Sequence, residues 1–188
     1  MSGFIEVKDN LKAVNKTLKQ MDKTVRQAVL SSINRASQRA KTETGRKVRE
    51  EYMVKQKDVT GTISIKKAKG SVLQATLTSK GHSIPLIEFS VSPSRRLKRA
   101  PKVLKAAVFR GSAKKPIPGS FITTTGGHKG VFERAGKKRL PIKELRGPAV
   151  PSMVGNEKVK EHIRQVYGEE MQKRLPHELD RTLGRLKM

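Results

Sequence analysis

The run Arg95-Arg96-Leu97-Lys98-Arg99 puts four cations into one short stretch, and Lys114-Lys115, Lys129 and Lys137-Lys138-Arg139 add further cationic points downstream. Such groups neutralise phosphates and release bound counterions, which gives affinity for a nucleic-acid backbone without reading its bases. The central run reads equally well as a solvated loop, and both readings stand. Lys12, Lys16, Lys19 and Lys23 repeat at helical spacing on the side away from an apolar stripe. They read as a solvated helix face rather than a DNA-facing one.

Bond-making chemistry finds little support. The histidines, His82, His128, His162 and His177, show neither HxxxH nor HExxH spacing, which argues against a zinc centre. Gly126-Gly127-His128-Lys129-Gly130 is glycine-rich but is not followed by the Lys-Ser/Thr and helix that a phosphate loop requires, so a flexible hairpin is the better reading. Between residues 53 and 120 the only acids are Asp58 and Glu88, too few for a metal-dependent nuclease. No serine sits in a nucleophile elbow. The chain has no cysteine, which removes thiol catalysis, disulfides and Cys-based zinc. Neither an enzyme nor a bound cofactor or metal is expected.

The formal net charge of +26 is a statement about partners rather than about fold. Residues 53–120 hold 15 bases against 2 acids, so the excess is central and not confined to a tail, as expected of a shaped cationic surface. Aromatics are 4% and Trp is absent, too few for a base-stacking platform, and contact with the backbone of duplex DNA is the expected mode. Hydrophobic residues are only 35% of the chain, which implies some apolar surface buried against partners. The N-terminus lacks an apolar signal core, and no apolar run approaches the ~20 residues of a membrane span. A cytoplasmic protein without a membrane partner is expected.

The elements that must position these groups read as α+β. Leu11, Val14, Leu18, Met21, Val25, Ala28 or Val29, Ser32 or Ile33, Ala36 and Ala40 recur every three or four residues, predicting a long amphipathic helix over residues 9–52 that bends or breaks at Gly45. Gln56 to Ile63 reads as a short helix or turn. Thr62 to Ala68 and Ser71 to Ser79 alternate around Lys69-Gly70 as a β-hairpin. Ile84 to Phe89 reads as a short helix, Ser90 to Arg99 and Gly111 to Pro118 as basic loops, and Val103 to Arg110 as a strand paired with Phe121 to Thr124. A second hairpin, with a long loop, joins Phe121–Thr124 to Val131–Arg134. The sum is one small, mainly antiparallel sheet of about five strands within residues 53–135. Leu140-Pro141-Ile142, Leu145, Gly147-Pro148, Val150-Pro151 and Met153 alternate apolar anchors with prolines, predicting an extended arm over residues 136–155 that lies on another surface. From Asn156 a second amphipathic helix carries Val159, Ile163, Tyr167, Met171 and Leu175, with a kink or restart at Pro176. The expected division is a domain of residues 1–155 and a helical segment of residues 156–188.

GHKGVFER followed by LPIKELRGPAVPSM, with Ile84-Pro85-Leu86, Phe89 and Ile117-Pro118-Gly119 upstream, resembles the prophage minor tail protein Z family, the tail-completion proteins of long-tailed bacteriophages. The resemblance covers roughly the first 155 residues. It implies a homo-oligomeric ring, six-fold by expectation, that joins the tail and its terminator protein to the head-tail connector. It also implies a virion protein assembled in the host cytoplasm, with the leading end of the double-stranded genome in its channel. A cationic sheet region suits such a lumen, and a proline arm suits lacing between subunits. The competing reading is a cellular nucleic-acid-binding protein of ribosomal or nucleoid type, whose composition would be much the same.

Overall fold

The computed structural model describes residues 4–5, 23–95 and 103–184; Arg96, Lys98, Arg99 and the predicted helix before residue 23 lie outside the described residues. Strand β1 (Phe4–Ile5) precedes helices α1 (Lys23–Glu51) and α2 (Gln56–Gly61). Strands β2 (Ile63–Lys66), β3 (Thr76–Ser79) and β4 (Ser83–Pro85) lead to a 3-10 turn at Leu86–Glu88 and to β5 (Ser90–Ser92). Then come β6 (Leu104–Ala107), β7 (Lys115–Ile117), β8 (Ser120–Thr125), β9 (His128–Arg134), β10 (Ile142–Glu144) and β11 (Arg146–Ala149). Helices α3 (Val150–Val154) and α4 (Glu157–Gly184) close the chain.

The predicted apolar stripe is the face that α1 buries: Ala28, Ser32, Ile33, Ala36, Ala40 and Val48, mostly small side chains that let a second helix approach closely. Three buried hydroxyls cause no deficit because each donates to its own helix: Ser32 to the Ala28 carbonyl, Ser37 to Ile33 and Thr44 to Ala40, at 2.9, 2.8 and 2.7 Å. The second helix is α4, so the C-terminal helix packs on α1 rather than on the sheet. The two run antiparallel: Asn156 donates to the Tyr52 hydroxyl at one end, and Arg35 meets Glu178 at 3.0 Å towards the other. Pro176 lies within α4, which neither stops nor restarts there.

Gly45 does not break α1. A methyl group there would come within 2.5 Å of Thr60 Cγ2 and 3.0 Å of Gln56 Cγ, so the glycine marks where α2 crosses the helix.

Among the described residues the strands form four small sheets, ordered β1-β3-β2, β5-β6-β7, β4-β11 and β10-β9-β8, instead of one sheet of about five. Proline sets the limit: Pro85 in β4, Pro116 in β7 and Pro148 in β11 offer no N–H, and all three strands are edges. Two segments expected as loops are partly strand, Ser90–Ser92 and Lys115–Ile117, and they flank β6 on its two sides. They occupy the positions expected for Phe121–Thr124, which pairs only with β9. The β8–β9 hairpin is tighter than expected. Thr125 pairs with His128, leaving Gly126 and Gly127 alone in the turn at φ +58° and +76°, the positive pair that a type I′ turn needs.

The proline arm is corrected most. Residues 142–144 pair with β9, residues 146–149 pair with β4, and Val150, Pro151 and Met153 are buried in the protomer's own core. Proline fits because Pro148 sits on an edge strand and Pro151 in the first helical turn, where no N–H is required. Gly147 admits the buried Phe89 ring, whose Cε2 lies 2.5 Å from where a Cβ would stand. Of the predicted arm residues, Ile142, Leu145 and Pro148 are half-buried, while Leu140 and Pro141 are exposed. One core thus joins Val48 of α1, Tyr52 just beyond it, Phe89, Val131, Met153 and, from α4, Val159 and Ile163.

Candidate nucleic-acid interface

Every predicted phosphate-binding residue within the described part of the chain, Arg95, Lys114, Lys115, Lys129, Lys137, Lys138 and Arg139, is exposed. They do not form one patch. Lys129 opens β9 beside the glycine turn and donates from Nζ to the Ser94 carbonyl at 2.6 Å, which brings it next to Arg95. Lys137, Lys138 and Arg139 lie in the loop beyond the other end of β9, about 20 Å away along a seven-residue strand. That loop is braced: Ala135 donates its N–H to the Pro141 carbonyl, and the Arg134 guanidinium donates to the Arg139 carbonyl while lying 5.3 Å over the Phe121 ring. Leu140, 65% exposed, shares the tip with the three cations. Lys115 opens β7 of the separate β5-β6-β7 sheet, with Lys114 just before it.

The sheet carrying both clusters is tied to its neighbour through Glu144. His128 Nε2 stands 2.5 Å from Glu144 Oε1, Arg146 pairs with Oε2 at 2.9 Å, and Arg146 also donates to the Ser83 carbonyl on β4. Burial pushes the Glu144 carboxyl up, but hydrogen bonds from His128 and Arg146 outweigh it and hold the group below the usual carboxylate range.

A third cationic site escapes the reading by runs. Arg46, Arg49 and Arg110, with Glu50 and Gln56, line a groove of about 590 Å³ at the C-terminal end of α1. Arg110 Nε donates to the Arg49 carbonyl at 3.0 Å, and the Arg110 N–H donates to the Glu51 carbonyl. Arg46 and Arg39 both hold the nearly buried Glu43, at 2.9 and 3.1 Å. The signal for the α1 members was their helical spacing, Arg35, Arg39, Arg46 and Arg49. Arg110, 61 residues from Arg49, gave none.

Asp58, His82 and Glu88 line one groove of about 390 Å³ with Lys55 and Lys57. Lys55 Nζ lies 3.8 Å from Glu88, and among the described residues no group of three or more His, Cys, Asp or Glu side chains is placed to hold a metal. No helix among the described residues is long and apolar enough to cross a membrane.

Comparison with curated proteins and with solved structures gave no match. The profile of one family, described as prophage minor tail protein Z (GPZ), matches residues 7–187. The match continues through α4, past the segment in which the sequence motifs lie. With nearly the whole chain accounted for by one family of structural phage tail components, this protein, which is not an enzyme, belongs to the prophage minor tail protein Z family.

Proposed function

We propose that this protein completes the tail of a long-tailed bacteriophage. Copies close into a ring, six-fold by expectation, between the tail with its terminator protein and the head-tail connector. The channel of the ring holds the leading end of the double-stranded genome. The observation that carries this reading is the family match over residues 7–187. Support comes from the two exposed cationic clusters, Arg95 with Lys129 and Lys137-Lys138-Arg139, at opposite ends of one narrow sheet. Phosphate contacts from these clusters attract duplex DNA of any sequence and let it slide. Leu140, exposed at the tip of the basic loop, supplies an apolar contact for a neighbouring subunit or tail protein, and with the exposed Pro141 it is the part of the predicted assembly arm still free for that role. Assembly takes place in the host cytoplasm, and the finished protein resides in the virion.

Titrating salt against DNA affinity tests the electrostatic part. A plot of log affinity against log salt is expected to fall with a slope of about −4 or steeper, as for roughly five neutralised phosphates, and equally for unrelated duplex sequences. Replacing Lys137, Lys138 and Arg139 by alanine is expected to flatten that slope by about 2 to 3. A flat response in the unaltered protein contradicts the channel reading.

A further inference from the structure

We propose that the groove of Arg46, Arg49 and Arg110 takes a second copy of this chain, and that Glu161 and Glu169 on the outer face of its α4 are the groups that enter it. This inference rests on the ring reading above and names the contact that would close such a ring.

The groove is pre-organised to hold carboxylates. Arg46 is held by Glu43, Arg110 is anchored through Nε on the Arg49 carbonyl, and the Arg49 guanidinium has no hydrogen-bond or ion-pair partner among the described residues. The two held guanidinium groups, of Arg46 and Arg110, pair with a carboxylate at little further loss of side-chain freedom, and that of Arg49 is free to pair. One feature favours a protein over DNA here. Phe109, next to Arg110 and packed against Tyr52 with ring centres 4.9 Å apart and the planes tilted by 34°, is 52% exposed, and arginine beside an exposed aromatic is the composition of a protein interface centre.

Among the described residues Asp58, Glu133, Glu161, Glu169 and Asp180 have no ion pair, and the occupant follows from the two of these, Glu161 and Glu169, that stand eight residues apart on one exposed helix face. A chain with 42 bases and 16 acids repels its own copies unless an interface pairs acids with bases. On α4, Glu157, Glu170 and Glu178 are already taken by lysine or arginine of the same protomer. Glu161 has no ion pair among the described residues, and Glu169 accepts only the neutral Gln165 amide at 2.8 Å. Glu161, Gln165, Glu169 and Gln172 are all exposed and recur at steps of four, four and three, so they share one face, with Lys158 at its start. Groove and helix face are different surfaces of the same chain. Copies joined one after another through this contact run head-to-tail, the arrangement that gives a ring when the rotation between copies closes.

Sedimentation of the full chain tests the pairing. Arg49→Glu with Arg110→Glu is expected to weaken self-association about a hundredfold, and Glu161→Arg with Glu169→Arg to do the same. All four together are expected to restore it, which also shows that each pair of variants still folds. Unchanged assembly in the arginine variant, or no restoration in the fourfold variant, overturns the docking but leaves the ring reading standing. Unchanged assembly with DNA affinity lost assigns the groove to phosphate instead. A wild-type chain that stays monomeric at all concentrations overturns both.

Discussion

Truncating Met153 to alanine is expected to lower the free energy of unfolding by about 2 to 5 kcal/mol, read from urea denaturation of the purified chain. Met153 has no exposed surface, and it sits in α3 where α1, α4 and the small sheets converge on one core. Neighbours from several directions cannot all close over the vacated volume, so the cost of a cavity adds to the lost transfer energy. The consequence reaches beyond one side chain. Deleting residues 140–153 removes two strands and the buried Val150, Pro151 and Met153, so the deletion is expected to unfold the protomer rather than only to free it from an assembly. A Met153→Ala protein as stable as the original would contradict this placement.

Replacing Arg35 and Arg181 together by methionine is expected to cost about 3 to 5 kcal/mol, because it strips the cations from a buried carboxylate. Glu178 is 0% exposed; Arg181 hydrogen-bonds its Oε2 at 2.7 Å, and Arg35 Nε stands 3.0 Å from Oε1 without the alignment of a hydrogen bond. Removing the acid instead, as Glu178→Leu, is expected to stay within about 1 kcal/mol, since both arginines are roughly half-exposed and return to water. Burial pushes the Glu178 carboxyl up, but Arg181, then Arg35 and His177, outweigh it and hold the group below its ordinary value. The lowered folded value means that the stabilisation is fully present above the unfolded glutamate value of about 4.3 and is lost as pH falls through the folded one. Denaturation midpoints taken from pH 7 down to pH 3 are expected to fall more steeply in the original chain than in Glu178→Leu. Parallel curves would contradict the assignment.

Local periodicity made the helices legible, and it misled where a residue type carries two meanings. The stripe through Ala28, Ile33, Ala36 and Ala40 is the buried face of α1 because helical spacing puts those residues on one side whatever they meet. Gly45 read as a break because glycine weakens helices, yet its role is to admit α2, and that neighbour is invisible locally. The prolines from Pro141 to Pro151 read as an arm outside the fold for the same reason: an edge strand and a first helical turn both tolerate proline, but only the tertiary partner shows that they exist. Pairing between β4 and β11, or between Arg110 and the end of α1, joins segments more than sixty residues apart and leaves no periodic trace. The site was legible as charge and not as shape. The basic runs at Lys129 and Lys137–Arg139 were evident in the sequence, but their separation along β9 was not.

The central claim is that cationic loops face DNA inside a closed ring at the tail's upper end. Electron cryo-microscopy of complete virions, with the density of this protein traced in the neck, tests it most directly. The expected map has a ring between the terminator and the connector, with Lys129 and the Lys137–Arg139 loop turned towards DNA density on the axis. A copy at the far end of the tail, or a ring whose basic loops all face outward to solvent, would contradict it.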